Sequence, residues 1–396
     1  MRPYPHQEEL SDVAVEILRR HLIVYLACEE RTGKTLIAIR TAEKTAAQRI
    51  LVITKKKALE GWHDTFTKYQ SEKTFDVINW HQAHKKDIQS YDLVILDESH
   101  NYISAFPKVG GIQRNLRPLM ANKPLIYVSA TPHAQGLPML FHQFQLSSWS
   151  PWKKYKNFYQ WFRVYGKVYQ IRINGMPANQ YDRCHKEKIL ADVQHLFVTK
   201  TRAELGFEHE PVDKLHFVEL SDWTKALYNE LVTHEIADIN GDWLVCDTSA
   251  KLRASLHMLE GGVAKIDERF IVLQNEEKLQ YALDTFGDNG DTVIMYNYRA
   301  ELLKLQAVFK KNLLLQATSF AEGVDLSDYD NLVIYSQDFS TARHTQRRAR
   351  QCNKLRTKPI VVHYLLVKKG LSQQVYKTVT VNKKNFVDSV FERNTL

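Results

Sequence analysis

Short apolar runs alternate with amphipathic stretches along the first 148 residues of the chain. The apolar runs have the length of β-strands and occupy residues 23–26, 50–54, 75–79, 93–96 and 125–129. Apolar residues at helical spacing lie between them, at residues 11–20, 35–45, 59–67 and 137–145. This alternation predicts an α/β lobe in which helices cover both faces of a parallel sheet.

The pattern changes at about residue 147 and then returns. Residues 149–212 are aromatic and basic and lack strand alternation, which predicts a mainly helical insertion followed by a linker. A second α/β lobe is predicted at residues 213–396. Its expected strands lie at residues 215–220, 292–296, 313–316, 332–335 and 360–366, and its expected helices at residues 223–239, 276–286, 298–309 and 341–352.

Candidate chemistry follows the first predicted strand. Gly33-Lys34-Thr35 stands between an apolar run and a helical pattern, which is the context of a phosphate-binding loop, although Cys28 occupies the place of the usual first glycine. Backbone amides before the helix would hold phosphates, and Lys34 would lie on the β- and γ-phosphates.

A second candidate follows the strand at residues 93–96. Asp97 would hold Mg²⁺ together with the Thr35 hydroxyl, and Glu98 would orient and deprotonate the attacking water. Because loops at the carboxyl ends of parallel strands share one edge of the sheet, Thr35, Asp97 and Thr131 are expected to converge there.

Composition adds a preference for a polyanionic partner. The chain has 396 residues and a formal net charge of +9, with basic clusters at residues 55–57, 153–156 and 343–358. Aromatic residues interleave with the second cluster, and their helical spacing favours core packing for most of them. The four cysteines form no disulfide framework, and neither a signal peptide nor an apolar run of membrane-spanning length is evident, so we expect a cytoplasmic protein.

Two other chemistries are poorly supported. Asp182, Cys184 and His185 could suggest zinc, but no second ligand pair lies at a suitable distance. Ser99 and His100 could belong to a hydrolytic triad, but they stand side by side without a nucleophile-elbow glycine pattern. His100 is more readily interpreted as a link between a nucleotide site and a strand-binding site.

Seven short segments, taken together and in order, carry a family resemblance. They are residues 2–7, 26–35, 51–57 with Trp62, 97–100, 129–132, 319–326 and 346–351. The chain resembles a superfamily 2 DNA helicase or translocase, on the branch that includes the chromatin-remodelling ATPases and small phage or bacterial helicases. The resemblance runs nearly end to end and implies two RecA-like P-loop lobes with ATP and Mg²⁺ at their interface.

The resemblance also implies roles for individual residues. Catalytic roles fall on Lys34, Asp97, Glu98, Gln346, Arg347 and Arg350. Nucleotide binding falls on Tyr4, Gln7, Arg31, Thr32, Gly33, Lys34, Thr35, Gly323 and Asp325, and metal binding on Thr35 and Asp97. Nucleic-acid binding falls on Thr54, Lys55, Lys56, Trp62, Tyr296 and Ser319.

The arginine fingers can be placed in two registers. Alignment on Lys358-Pro359 makes Arg350 the first arginine and puts Asn353 at the second, which departs from the family pattern. A slipped register would make the pair Arg347 and Arg350.

The family resemblance favours a monomeric DNA translocase or helicase that acts on replication or recombination intermediates in a bacterial or phage-infected cytoplasm. Two alternatives stay open. One is an RNA-dependent ATPase of the same fold. The other is a nucleic-acid-binding regulator in which ATP is only a conformational clamp, as Asn353 and the missing loop glycine would suit.

Overall fold

The computed structural model describes residues 2–134, 136–173, 176–317, 326–353, 356–383, 385–387 and 390–396. The chain divides into two compact units, Met1–Gly206 and Phe207–Leu396. No disulfide bond links Cys28, Cys184, Cys246 or Cys352, all of which are described. Within these ranges, no helix combines the length and apolar character needed to cross a bilayer.

The first unit is built on a six-stranded sheet with the strand order β3-β2-β4-β5-β1-β8, in which every neighbouring pair is parallel. The predicted parallel α/β arrangement is therefore confirmed for this unit. Its strands are β1 Ile23–Leu26, β2 Arg49–Thr54, β3 Thr74–Asn79, β4 Leu93–Asp97, β5 Leu125–Val128, β6 Tyr169–Ile173, β7 Met176–Gln180 and β8 Phe197–Val198.

Helices cover both faces of this sheet. Alternate residues of β1 enter two different cores, Ile23 and Tyr25 on one face and Val24 and Leu26 on the other, as expected for a strand with no solvent-exposed side. The helices of the unit are α1 Pro5–His21, α2 Lys34–Glu43, α3 Leu59–Tyr69, α4 Gly111–Met120, α5 Met139–Phe144, α6 Phe158–Tyr165 and α7 Lys186–Val193.

The segment after residue 148 packs largely within the first unit. Its aromatic side chains, including Trp152, Phe158 and Trp161, lie in the core on one face of the sheet, in line with the core packing expected from their spacing. Besides α6 and α7, the segment contains the antiparallel hairpin β6–β7, and its strand β8 pairs with β1. The sequence pattern predicted neither the hairpin nor β8.

The second unit has a five-stranded sheet with the order β15-β14-β16-β17-β9, again parallel at every pair. Its strands are β9 Val212–Val218, β10 Ile236–Ile239, β11 Asp242–Val245, β12 Val263–Ile266, β13 Arg269–Val272, β14 Thr292–Tyr296, β15 Leu313–Gln316, β16 Asn331–Ile334 and β17 Val361–Val367. Its helices are α8 Asp222–His234, α9 Ser249–Glu260, α10 Glu277–Phe286, α11 Arg299–Val308, α12 Thr341–Arg348 and α13 Leu371–Val375.

Two predicted helices in this unit are shorter than expected. The predicted helix at 223–239 ends at His234, because Glu235 adopts a left-handed conformation and the next residues pair in the hairpin β10–β11. Asn240 and Gly241 both have positive φ angles, which is the geometry of a tight hairpin turn. Helix α12 ends at Arg348 and is followed by a 3₁₀ turn, Ala349–Gln351.

Buried histidines lie among the strands and helices of the second unit. His363 on β17 has its Nδ1 2.9 Å from Nε2 of His216 on β9. Burial, with His216 and Lys214 nearby, lowers the pKa of His363 to about 4. Burial, with Arg347 and Arg348 nearby, lowers the pKa of His344 to about 3.

We expect acidification to destabilise the second unit. An unfolded histidine titrates near pH 6.5, so below that pH the unfolded chain binds more protons than the folded one. The stabilisation is complete above about pH 6.5 and is lost as the pH falls towards the folded-state pKa of about 4 at His363. Urea unfolding at pH 7 and pH 5 should show a loss on the order of 2 kcal/mol from this residue.

The variant His363→Gln keeps a hydrogen-bonding side chain that cannot take up a proton in this range, so its stability should vary less with pH. His234→Gln, at an exposed position, is the matched control. An equal pH dependence in the wild type and His363→Gln would contradict the assignment.

Candidate nucleotide site

Three parallel neighbours, β4, β5 and β1, direct the loops that follow them to one edge of the first sheet. These loops begin after Leu26, Asp97 and Val128. The edge therefore receives the predicted phosphate loop, the acidic segment that starts at Asp97, and the segment that contains Thr131. Carboxyl ends of parallel strands are the usual place for ligands in such sheets.

The loop after β1 leads into α2 through two left-handed residues. Arg31 has a φ of 67° and Gly33 a φ of 80°, and Gly33 is the N-cap of α2, which begins at Lys34. The Gly33 carbonyl accepts hydrogen bonds from the amides of Leu36 and Ile37. The first amides of a helix point out of its end and make it a natural anion-binding position.

One carbonyl closes this loop on itself. The Lys34 Nζ and the Thr32 Oγ1 both donate to the Glu29 carbonyl, at 2.7 and 2.8 Å. The Thr32 side chain is buried, whereas Lys34 and Thr35 are partly exposed at the start of the helix. The ammonium of Lys34 is thus held beside the backbone that would carry phosphates.

The segment that contains β8 braces the same loop. The amides of Ala27 and Glu29 donate to the carbonyls of Val198 and Lys200, at 2.8 and 3.0 Å. Cys28, in place of the usual glycine, is buried with its Sγ 3.6 Å from the Val198 carbonyl oxygen.

Arg202 adds a second contact between these segments. Its amide donates to Glu29 Oε2 at 2.8 Å, and its Nη1 lies 3.3 Å from Glu30 Oε2. The sequence pattern did not reveal Arg202, because its partners are some 170 residues away and no local signal connects them.

The start of α1 packs on the phosphate loop. The Gln7 side chain is buried against Gly33, so that any Cβ at position 33 would collide with Gln7 Nε2, while Gln7 Oε1 accepts a hydrogen bond from the Tyr4 amide at 2.9 Å. The Tyr4 ring is exposed and stacks on His6, with ring centroids 5.8 Å apart. The two residues predicted to contact adenine thus lie next to the loop.

The carboxylate of Asp97 is held by two donors from neighbouring elements. Thr54 Oγ1 at the end of β2 and Trp62 Nε1 on α3 both donate to Oδ2, at 2.6 and 3.0 Å. Burial and the adjacent Glu98 carboxylate raise the pKa of Asp97, while the two hydrogen bonds oppose that rise. Both of these hydrogen bonds are accepted by Oδ2 rather than by Oδ1.

Glu98 and His100 connect the acidic segment to the loop after β5. Glu98 has a left-handed backbone with a φ of 52°, and its Oε2 lies 3.4 Å from His100 Nδ1. The same ring has its Nδ1 2.7 Å from Ser129 Oγ and its Nε2 3.2 Å from Thr131 Oγ1. One buried imidazole therefore contacts both segments.

A buried polar network below this ring was not predicted. Tyr25 Oη on β1 and Ser99 Oγ both donate to Gln143 Oε1, at 2.8 and 3.0 Å, and Gln143 Nε2 donates to the Pro132 carbonyl at 2.8 Å. The network joins β1 and the loops after β4 and β5 to α5. The only sequence feature that pointed to this network was the occurrence of polar residues within otherwise apolar segments.

The residues predicted to contact nucleic acid in the first unit fall into two groups. Thr54 and Trp62 have buried side chains that bond to Asp97, whereas Lys56 is exposed and Lys55 partly exposed. A direct contact with a strand is therefore more readily made by the lysines.

In the second unit, Arg347 is buried and its Nη2 lies 3.0 Å from Asp338 Oδ2, while Arg343 contacts Oδ1 of the same carboxylate, also at 3.0 Å. Asn353 Nδ2 donates to Ser327 Oγ at 3.4 Å. Arg350 is partly exposed on the 3₁₀ turn after α12.

The remaining predicted residues of this unit are less informative. Gln346 and Tyr296 are buried. Ser319, Gly323 and Asp325 lie outside the described residues. No group of three or more His, Cys, Asp or Glu side chains that could hold a metal ion occurs within the described ranges.

Comparison with known proteins shows a distant likeness to solved structures. No protein-family model and no curated protein matches the chain. Among solved structures, the chain is similar to the Sulfolobus solfataricus SWI2/SNF2 ATPase core domain, with 12% sequence identity and a TM-score of 0.44, over 97% of this chain and 90% of that one. A likeness of this size assigns neither a family nor an activity to the chain.

Gly33→Ala is expected to destabilise the first unit. Alanine pays about 1–2 kcal/mol in a left-handed conformation, and its Cβ would also collide with Gln7. The double variant Gly33→Ala/Gln7→Ala relieves the collision but not the backbone strain, so the two changes should be non-additive in urea unfolding.

Gly61→Ala is the matched control. Gly61 lies within α3 with open space around it, so alanine there should leave stability unchanged or raise it by up to about 1 kcal/mol. Additive effects of the Gly33 and Gln7 substitutions would show that the two residues do not contact each other in solution.

Proposed function

We propose that the first unit binds and hydrolyses ATP at this sheet edge, and that the protein is a nucleic-acid-dependent ATPase acting as a DNA translocase or helicase. The observation that carries the proposal is the pairing of two features at one edge. A helix N-terminus with Lys34 follows β1, and a carboxylate held by Thr54 and Trp62 ends β4. A phosphate-binding loop and a metal-binding carboxylate are the central parts of a nucleoside triphosphatase active site.

Phosphate binding would use groups at the start of α2. The amides at the start of α2 donate to the phosphate oxygens, and the Lys34 ammonium exchanges the Glu29 carbonyl for the β- and γ-phosphates. Gln7, packed on Gly33, brings the start of α1 next to the same loop, where the exposed Tyr4 ring could stack on adenine.

The donor set fits magnesium. The Thr35 hydroxyl and the Asp97 carboxylate are oxygen ligands of the kind that Mg²⁺ prefers, and the ion when bound neutralises charge on the phosphates. Thr54 and Trp62 fix the orientation of Asp97 by occupying Oδ2. They are positioning residues, because their side chains act through the carboxylate.

Glu98 is the proposed general base. It would accept a proton from the attacking water, while His100 holds its carboxylate from one side. Because His100 also contacts Ser129 and Thr131, a change at the γ-phosphate would be transmitted to the segment after β5.

DNA binding is proposed for the basic segment that follows β2. Lys55 and Lys56 directly follow Thr54, whose hydroxyl bonds to Asp97. A phosphate contact at Lys55 is therefore one residue away from Thr54, which donates a hydrogen bond to the proposed metal ligand Asp97. This short path would couple nucleic-acid binding to the charge state of the nucleotide site.

The regulator alternative also has one observation in its favour. Asn353, at the position of the second arginine in the register set by Lys358-Pro359, has a hydroxyl partner in Ser327 and no charge to offer a phosphate. Slow turnover together with tight, ATP-dependent DNA binding would favour a clamp over a motor.

Lys34→Ala should abolish ATP hydrolysis while leaving the fold and ATP-free DNA binding largely intact, because the loop loses the cation that faces the phosphates. Phosphate release should be measured with duplex DNA, single-stranded DNA and RNA, which also separates the DNA and RNA alternatives. Lys73→Ala is the control, since Lys73 likewise donates to backbone carbonyls but lies outside the site. Wild-type turnover in Lys34→Ala would remove the loop from the mechanism.

Arg350→Ala should reduce DNA-stimulated turnover, by as much as about 10³-fold if Arg350 supplies charge to the transition state. Arg347→Ala should instead lower the free energy of unfolding by roughly 3 kcal/mol, because it removes a buried partner of Asp338. Turnover and urea unfolding of both variants test this division of roles. Wild-type turnover in Arg350→Ala would exclude an arginine finger at this position.

A further inference from the structure

A cavity of about 390 Å³ lies between α4, α5 and the start of α6 in the first unit, and the proposed nucleotide site does not use it. We call it the α4–α6 cavity. Its lining combines four cationic side chains, Lys108, Arg114, Arg117 and Lys156, with the aromatic side chains of Phe158 and Tyr159 among others. The size is near the lower end for small-molecule pockets and suits about one nucleotide.

The charged side chains that line the cavity are all cationic. All four cationic residues are exposed, and no aspartate or glutamate lines the cavity. Within the described residues, none of the four forms an ion pair with a carboxylate, and the only hydrogen bond made by their side chains is from Arg114 Nη2 to the Val109 carbonyl at 3.5 Å. A rim of this kind favours a ligand that carries several negative charges at separate positions.

The aromatic part of the lining consists of a buried ring and an exposed ring, which meet edge to face at 83°. Phe158 is buried and stacks on His142, with ring centroids 6.0 Å apart and planes at 21°, while Tyr159 remains 44% exposed. Burial, and to a smaller degree Arg117, lowers the pKa of His142, so the ring under Phe158 is uncharged near neutral pH. The aromatic side therefore offers a π surface rather than another charge.

The two properties together select a ligand class. Single-stranded nucleic acid is bound by cationic grooves that follow its phosphates and by aromatic rings on which its bases stack. A duplex keeps its bases stacked inside and could offer the cavity only phosphates. An acidic peptide would use the cations but would leave the aromatic surface without a planar partner.

We propose that the α4–α6 cavity holds one unpaired nucleotide of a single-stranded nucleic acid, with its base on the exposed ring of Tyr159 and the flanking phosphates on Lys108, Arg114, Arg117 and Lys156. The site would bind its ligand whether or not the first unit hydrolyses ATP. The basic, aromatic stretch that begins near residue 150 is thereby divided. Trp152 and Trp161 belong to the core, while Lys156 and Tyr159 face the ligand.

The test measures binding by the full chain, without ATP, to fluorescent single-stranded oligonucleotides of about twelve residues. An oligodeoxythymidine probe and an oligouridine probe distinguish binding to DNA from binding to RNA. Lys156→Glu should weaken binding at least tenfold, whereas Lys153→Glu, the same charge change three residues away and outside the lining, should weaken it less than threefold. Equal losses in the two variants would overturn the site in favour of general electrostatic attraction.

The base contact is tested separately. Tyr159→Ala should weaken binding about tenfold, which is within the range for loss of one stacked base, while Tyr159→Phe keeps the ring and should bind like the wild type. An oligonucleotide with abasic sites should bind the wild type more weakly and should be insensitive to Tyr159→Ala. Unchanged affinity for the abasic probe would overturn the proposal.

Photo-cross-linking supplies a direct readout. An oligonucleotide carrying 5-iodouracil should cross-link to Tyr159, identified by mass spectrometry, and cross-linking should be lost in Arg117→Glu. If a polyglutamate peptide binds the wild type, is sensitive to Lys156→Glu and displaces both intact and abasic probes equally, the cavity is a site for an acidic peptide and the proposal fails. All these readouts are independent of ATP hydrolysis.

Discussion

The first unit depends on how one carboxylate is held at the end of β4. Asp97 lies at a position where burial and the neighbouring Glu98 disfavour its charge, and two hydrogen bonds to Oδ2 offset part of that cost. The donors come from β2 and α3, so the same bonds also fix those elements against β4. A bound divalent cation would complete the compensation, which makes the proposed metal part of the electrostatics of the fold.

Polar contacts between loops, rather than the loops' own sequences, give the sheet edge its shape. His100 contacts the loop after β5 through Ser129 and Thr131, and Gln143 joins that loop to Tyr25 and Ser99. Buried networks of this kind are rigid when every member is satisfied. These hydrogen bonds connect the loops at the sheet edge, so that a displacement of one loop would shift the others.

Much of the architecture was predictable from apolar periodicity. Except for β8, the strands of both sheets lie within a few residues of their predicted positions, because continuous apolar runs bounded by polar residues have few other stable arrangements. The hairpins β6–β7, β10–β11 and β12–β13 were missed, since each of their short strands includes a polar or charged residue and so is not a continuous apolar run. Two Asn-Gly dipeptides of the kind found in hairpin turns were available in the sequence for these hairpins, Asn174-Gly175 between β6 and β7 and Asn240-Gly241 between β10 and β11.

The candidate site was predictable to a similar extent, and for a similar reason. Gly33, Lys34 and Asp97 belong to short local motifs, which sequence order reveals. Arg202 and Gln143 act through contacts between distant segments, which it does not. Trp62 was assigned to nucleic-acid binding on the strength of a motif, yet its indole is buried against Asp97.

The brace on the phosphate loop has a consequence for how the first unit is made. The backbone bonds from Ala27 and Glu29 reach Val198 and Lys200, and Arg202 contacts Glu29 and Glu30. During synthesis, the loop is finished long before these partners leave the ribosome. Its shape can therefore form only after more than 160 further residues have been added, and a fragment ending at residue 148 would carry every local motif of the site without the strand that holds the loop in place.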